Sequence, residues 1–212
     1  FAPFLDTNPA SKPDERFKAL AGTHETGLHV FVSADGLQWT KRDTAPAITE
    51  GAFDSQNVAF WSAAENTYVC YFRTWSEGEW AGFRTISRTT SPDFVTWAKP
   101  ERMTFGDTPM EHLYTNQTQP YFRAPQLYIA LPMRFLPGRR VLTAAEAAKL
   151  GVFVDPANPN AGYAGDCADA VFMTSRGGTA YDRTFMEAFI RPGEDLGNWA
   201  SRAGLSANGI VQ

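Results

Sequence analysis

The sequence LHVFVSADGLQW at residues 28–39 places a tight turn directly after an alternating strand, and this unit is the strongest structural signal in the chain. Asp35-Gly36 is a strong hairpin signal, because glycine accepts positive φ and aspartate can bond its own turn backbone. Trp39 opens the returning strand, where its ring can pack over the turn. The stretch therefore predicts an antiparallel β-hairpin.

The same unit occurs twice more, as ISRTTSPDFVTW at residues 86–97 and, in a weaker form, as AVFMTSRGGTAY at residues 170–181. Each copy is a strand followed by Ser-x-Asp/Gly-x-x-x-aromatic. The serines, Ser33, Ser91 and Ser175, stand 58 and 84 residues apart. The first spacing suits a four-stranded propeller blade, and the second implies an insertion.

The insertion is predicted at 137–165. A capping box, from Thr143 to Glu146, starts one short helix that stops at Gly151. A long irregular segment rich in proline and glycine follows. It is either a functional lid or an insertion without a role.

The pattern predicts an all-β fold of the five-bladed β-propeller type. Blade 1 covers about 6–45, blade 2 about 54–105 and blade 3 about 111–195, and 208–212 would begin blade 4. Three blades cannot close a ring without leaving unpaired edges. We therefore expect a fragment, with the remaining blades supplied by further chain or by a partner chain.

Composition excludes several classes of protein. In 212 residues, 43% are hydrophobic and 20% charged, which excludes disorder. No apolar run reaches the roughly 18–20 residues of a membrane helix, and a net charge of −4 argues against a nucleic-acid partner. Neither cysteine belongs to a C-x-x-C pair, and Cys70, in an apolar run, is expected to be a buried thiol.

Each predicted blade opens with a polar cluster that contains a carboxylate: Asp6, Asp54 and Glu111. The first strands of propeller blades line the central axis, so these groups can meet at one mouth of the channel. Such a set suits glycosidic cleavage, in which one carboxyl protonates the leaving oxygen and another activates water or attacks the sugar. The alternatives are a turn cap for Asp6, an Asx-turn for Asp54 and a surface acid for Glu111.

These features resemble the five-bladed β-propeller glycoside hydrolase superfamily of arabinanases, invertases and levansucrases (families 43, 32 and 68). The resemblance rests on the Ser33–Trp39 turn and on Asp6 before Asn8-Pro9. It implies that Asp6 is the base or nucleophile, Asp54 the supporting carboxylate and Glu111 the acid. The strict signatures of families 32 and 68 are absent, which indicates a divergent branch. The compartment is undetermined, with an extracellular or periplasmic location favoured.

Further polar and aromatic residues are predicted to bind the substrate: Asn8, Asn57, Arg73, Trp75, His112, Arg134 and Asp169. Arg73 and Arg134 either bind a sugar or form salt bridges. Trp75 and Trp80 either stack on a sugar or fold back on the blade. The three histidines lack metal-ligand spacing, so no metal or cofactor is predicted, although a structural Ca²⁺ in the channel stays open.

The sequence therefore predicts a glycoside hydrolase acting on a poly- or oligosaccharide. The alternatives are a non-catalytic carbohydrate-binding propeller and a structural propeller module. Carboxyl groups about 5–10 Å apart around an open pocket favour hydrolysis. Scattered carboxylates together with exposed Trp75 and Trp80 favour binding.

Overall fold

A computed structural model describes residues 1–78, 80–152, 166–199 and 206–207. These residues form fourteen β-strands in four antiparallel sheets and one α-helix. Single turns of 3₁₀ helix lie at Pro13–Glu15 and Leu196–Trp199. The prediction of an all-β fold is confirmed.

The first two sheets are four-stranded meanders, in which each strand pairs with the next along the chain. Sheet I consists of β1 (Phe4–Leu5), β2 (Phe17–Thr23), β3 (Gly27–Ser33) and β4 (Thr40–Lys41). Sheet II consists of β5 (Val58–Ser62), β6 (Thr67–Trp75), β7 (Arg84–Ser91) and β8 (Glu101–Arg102).

The third part of the fold contains two three-stranded sheets, and the chain alternates between them. Sheet III joins β10 (Gln119–Tyr121), β11 (Ala124–Ala130) and β14 (Met173–Ser175). Sheet IV joins β9 (His112–Leu113), β12 (Met133–Leu136) and β13 (Cys167–Ala170). Two residues separate β11 from β12, and Pro132, which has no N–H to donate, stands at this break.

The predicted helix is confirmed as α1 (Ala144–Lys149). The Glu146 N–H donates to Thr143 Oγ1 at 3.2 Å, and the Thr143 N–H donates to Glu146 Oε2 at 2.8 Å. Both halves of the capping box are therefore present. The irregular loop predicted after the helix, at 153–165, and the predicted start of blade 4, at 208–212, lie outside the described residues.

The repeated turn has the predicted bonding. Asp35 Oδ1 accepts the N–H groups of Leu37 and Gln38, both at 2.8 Å. In the second copy, Asp93 Oδ1 accepts the N–H groups of Val95 and Thr96 at 2.8 and 2.7 Å. These bonds hold the pKa of each aspartate below its usual value.

The tryptophan that ends each of these two turns also forms a hydrogen bond within the turn. The Trp39 indole donates to the Gly36 carbonyl at 3.0 Å, and the Trp97 indole donates to the Phe94 carbonyl at 3.3 Å. Gly36 has φ +78°. Phe94, at the matching position of the second copy, adopts φ +65°, so this turn keeps its left-handed backbone without a glycine.

Sheet II lies between two hydrophobic cores. On β6, Tyr68, Cys70 and Phe72 pack with residues of sheet I. Val69 and Tyr71 pack with residues of sheets III and IV. Successive side chains of a strand point to opposite faces, so one nearly continuous apolar strand supplies both cores. The buried thiol expected at Cys70 is confirmed.

A tyrosine–carboxylate–cation triad joins sheet I to sheet II. The Tyr68 hydroxyl on β6 donates to Asp6 Oδ2 at 2.7 Å. Lys18 Nζ on β2 donates to the same oxygen at 2.6 Å. Burial and the bond to Asp6 raise the pKa of Tyr68 well above its ordinary value.

A second triad joins sheet II to sheet III. The Tyr128 hydroxyl on β11 donates to Glu65 Oε1 at 2.6 Å, and Arg88 donates to Glu65 Oε2 at 2.5 Å. Glu65 lies in the turn between β5 and β6. Burial and the bond to Glu65 raise the pKa of Tyr128 as well. Both triads place an ionised group and a phenol at a junction between sheets.

None of the four sheets formed by the described residues closes on itself. The propeller therefore stays a prediction. Near the end of the predicted blade 3, isolated bridges join Thr174 to Asp182 and Ala170 to Ile190.

The second triad makes a stability prediction. Tyr128→Phe removes the hydroxyl that donates to Glu65, and a hydrogen bond to a charged group contributes about 1.5–3 kcal/mol. We expect the free energy of unfolding, measured by urea denaturation, to fall by about that amount. Tyr121→Phe is the matched control, since its hydroxyl has no hydrogen bond among the described residues. Equal stability of the two variants would contradict the role of the triad.

Candidate functional site

Four arginines lie at one end of sheets II and IV in two pairs, and we call the four together the arginine cluster: Arg73 with Arg84 beside Tyr114, and Arg134 with Arg183 on Glu111. Arg73 lies near the end of β6 and Arg84 begins β7. Arg134 lies on β12, opposite Asp169 of β13. Because alternate strands of a meander end and begin at the same edge, residues distant in sequence meet here.

Arg73 is almost completely buried, with a side chain 3% exposed, and it forms an ion pair with Asp54. Its guanidinium carbon lies 4.5 Å from the centre of the Tyr114 ring. Asp54 itself remains 38% exposed. Burial lowers the pKa of Arg73 from its usual value. Asp54 is thus fixed by an arginine from within the protein while one side stays open to solvent.

Arg84 lies among aromatic rings. Its guanidinium carbon is 4.7 Å from the centre of the Trp75 ring, 5.2 Å from that of Phe135 and 5.6 Å from that of Tyr114. Burial lowers the pKa of Arg84. Contacts of this kind are cation–π interactions, which are favourable within about 6 Å of a ring centre.

His112 lies beside Arg84, whose backbone N–H donates to His112 Nδ1 at 3.2 Å. Burial, together with the charge of Arg84, lowers the pKa of His112. Since Nδ1 accepts this bond, the proton of the neutral imidazole is on Nε2.

Glu111 and Asp169 are held by the other two arginines. Arg134 donates to both oxygens of Asp169, through Nε at 2.8 Å and Nη2 at 2.6 Å. Glu111 accepts from Arg134 Nη1 at 3.1 Å and also forms an ion pair with Arg183. The pKa of Arg134 is raised, and the hydrogen bond to Asp169 is the largest cause. For Arg73 and Arg134 the salt-bridge alternative is therefore the one that the structure shows.

A groove of about 440 Å³ opens next to this cluster, where sheets I and II meet. His24, Trp75 and Trp80 supply its aromatic surface, and the ring centres of Trp75 and Trp80 are 6.0 Å apart. Trp80 is 47% exposed. Polar side chains complete the lining, among them Thr49, Glu50, Thr74, Ser87 and Arg102. A groove with one exposed and one half-buried indole and scattered polar groups fits an amphipathic ligand.

Asp6 and Asn8 lie elsewhere. Asp6 has a fully buried side chain, and Asn8 donates to the Tyr68 hydroxyl at 3.0 Å. Tyr68 and Arg73 are five residues apart on β6 and point to opposite faces, about 17 Å along an extended strand. The structure therefore does not bring Asp6 together with Asp54.

The other residues predicted for the site lie in two groups, Asp54, Arg73, Trp75 and His112 near Arg84, and Glu111 and Asp169 on Arg134. Successive residues of a strand point to opposite faces, so Arg134 lies on the other face of sheet IV from Phe135 and Arg84. Asn57 is near them in sequence but buried, and its amide donates to the Phe53 carbonyl at 3.3 Å. Arg84, Tyr114, His24 and Glu50 were missed. Nothing in the local sequence marks Arg84, because its ring partners come from three different strands or loops.

The described residues contain no group of three or more histidine, cysteine, aspartate or glutamate side chains placed to hold a metal ion. None of the helices that the structure describes is long and apolar enough to cross a lipid bilayer.

Neither a protein-family model nor a curated protein matches the sequence. Among solved structures, the chain is similar to an N-acetylgalactosamine deacetylase from F. plautii, whose crystal structure contains blood group B trisaccharide. The TM-score is 0.53 and the identity 13%, over 90% of this chain and 57% of that chain. This chain thus spans little more than half of that protein's length, and the likeness concerns the fold.

The burial of Asp6 makes a stability prediction. Asp6→Asn takes from Lys18, 3% exposed, its nearest counter-charge and leaves only the carboxylate of Glu15 at 3.8 Å, and breaking a buried ion pair costs about 3–5 kcal/mol. We expect a loss of stability of this size in urea denaturation. Asp14→Asn, in an exposed position nearby, is the control and should be within about 0.5 kcal/mol of the parent. An Asp6→Asn protein as stable as this control would refute the structural role of Asp6.

Proposed function

We propose that this chain is the carbohydrate-recognising part of a carbohydrate-active protein, and that a sugar chain lies in the groove formed by His24, Trp75 and Trp80. The observation that carries the proposal is the pair of indoles at the groove. The flat apolar face of an indole matches the C–H face of a sugar ring, and the polar lining can bond the hydroxyls. The structural neighbour is a protein crystallised with a trisaccharide, which adds support at the level of the fold.

For the architecture, we propose the five-bladed propeller of the arabinanase–invertase–levansucrase superfamily. Sheets I and II are meanders of the size of a blade, and their turns have the same hydrogen bonds. In this proposal the strands of sheets III and IV together form one distorted blade, and the rest of the ring comes from further chain or from a partner chain.

Glycoside hydrolysis is a second proposal, favoured by the position of Asp54 and Glu111 at the same end of neighbouring sheets. Asp54 is open to solvent on one side, and Glu111 lies next to His112 in sequence. In this proposal Asp54 and Glu111 are the acid/base carboxylates. Asp6, buried at the opposite end of β6, stabilises the fold and takes no part in the reaction.

The binding proposal predicts the effect of removing an indole. Trp80→Ala deletes the more exposed ring of the groove, and we expect oligosaccharide affinity to fall roughly 10-fold or more. The measurement is isothermal titration calorimetry with the tightest ligand found on a glycan array. Leu37→Ala removes another exposed apolar side chain, 80% exposed and on the outer turn, and should bind like the parent. An unchanged affinity for Trp80→Ala would exclude the groove as the sugar site.

The hydrolysis proposal is tested separately, by the release of reducing ends from a panel of polysaccharides. Asp54→Asn and Glu111→Gln should each lower the rate roughly 10²–10⁴-fold, because each removes an acid or base group. Thermal unfolding of each variant shows that the fold is retained. Release of no reducing ends by the parent from any polysaccharide of the panel, or unchanged rates in both variants, would refute hydrolysis and leave carbohydrate binding standing.

A further inference from the structure

Arg84 differs from the other members of the arginine cluster in its charge balance. Arg73, Arg134 and Arg183 each have a carboxylate partner. Arg84 has no ion pair with any residue that the structure describes, and Asp166, whose charge acts on it, accepts a hydrogen bond from the Gly138 N–H. Arg84 is thus the member of the arginine cluster that has no ion-paired carboxylate among the described residues.

The terminal nitrogens of the Arg84 guanidinium face the solvent. Among the side-chain nitrogens of Arg84, only Nε is both buried and without a partner. The two terminal nitrogens have no protein partner in the described part of the chain, so they are reachable from solvent. Trp75, Phe135 and Tyr114 surround the guanidinium and fix its plane.

A guanidinium fixed in this way is suited to one kind of ligand group. Its parallel N–H bonds match the two oxygens of a carboxylate, and the bidentate pair is stronger and more selective than a single contact. The aromatic walls exclude water from the flanks of the pair, which strengthens the attraction. His112, next to Arg84, has a lowered pKa and is neutral at pH 7, so it adds no competing charge.

The position of Arg84 relates it to the sugar groove. Trp75 lines the groove, and the centre of its ring lies 4.7 Å from the guanidinium carbon of Arg84. We propose that Arg84 binds the carboxylate of a uronic acid residue whose sugar chain continues into the groove. This inference rests on the proposed carbohydrate function and assigns the class of ligand: an acidic, uronate-containing glycan.

The test compares three acidic oligosaccharides with their carboxyl-reduced, neutral forms by isothermal titration calorimetry. The probes are fragments of polygalacturonate, alginate and glucuronoxylan. For at least one of them we expect the acidic form to bind the parent protein roughly 10- to 100-fold tighter than its reduced form, the range expected of a charge-assisted hydrogen bond. In Arg84→Gln this ratio should fall to about one, with the affinity for the reduced form unchanged.

Two further variants show where the preference comes from. Arg84→Lys keeps the charge but loses the two-pronged geometry, and should lose most of the preference. Arg102→Gln removes the same charge from an arginine that lines the groove itself, and should leave the preference for the acidic form unchanged. Thermal unfolding of each variant confirms a folded protein.

The outcomes separate the two proposals. Binding of neither form of any probe would overturn the uronate assignment, and the carbohydrate function would then be decided by the glycan array alone. Equal binding of both forms by the parent, or a preference that survives Arg84→Gln and is lost in Arg102→Gln, would overturn the assignment to Arg84 and leave the groove in place. Tight binding of a sulfated oligosaccharide, added as a fourth probe, without any uronate preference would overturn the carboxylate assignment.

Discussion

Strand β6 is the element on which the rest of the structure depends, because its side chains alternate between two different sheets. The core shared with sheet I contains Tyr68, Cys70 and Phe72. The core shared with sheets III and IV contains Val69 and Tyr71. A shift of one residue in the pairing of β6 would exchange these two sets. The register with β5 and β7 is thus fixed from both faces at once.

The same alternation places the candidate site. Where β6 leaves the two cores, Arg73 and Trp75 continue the face of Tyr71, and Thr74 continues the face of Phe72 and lines the groove. The aromatic surface of the groove and the positions of Arg73 and Arg84 are therefore two consequences of one strand end. This explains why Trp75 belongs to both, and why a sugar in the groove would lie beside Arg84.

Much of the fold follows from local sequence signals. The Ser33 and Ser91 turns and the capping box at Thr143 depend on residues within a few positions of one another, and they have the predicted bonds. The apolar runs of β5 and β6 likewise identify the central sheet. Sheet IV and its break from sheet III depend on how β9, β12 and β13 pair over long distances, which no local pattern specifies.

The candidate site was predictable only in part, for a related reason. Polar clusters at strand beginnings identified Asp54, Glu111 and His112, since those positions share one edge of the sheets. Asp6 has the same sequence context but follows its strand instead of preceding it, so it lies at the opposite end and pairs with Lys18. Arg84 depends wholly on tertiary neighbours, because its surroundings form only when sheets II and IV meet.

A crystal structure of the protein with a bound oligosaccharide would show whether a sugar chain occupies the groove. We expect sugar rings stacked on Trp75 and Trp80, with one substituent directed toward Arg84. Clear sugar density at another surface, with the groove closed or empty, would exclude the groove as the sugar site.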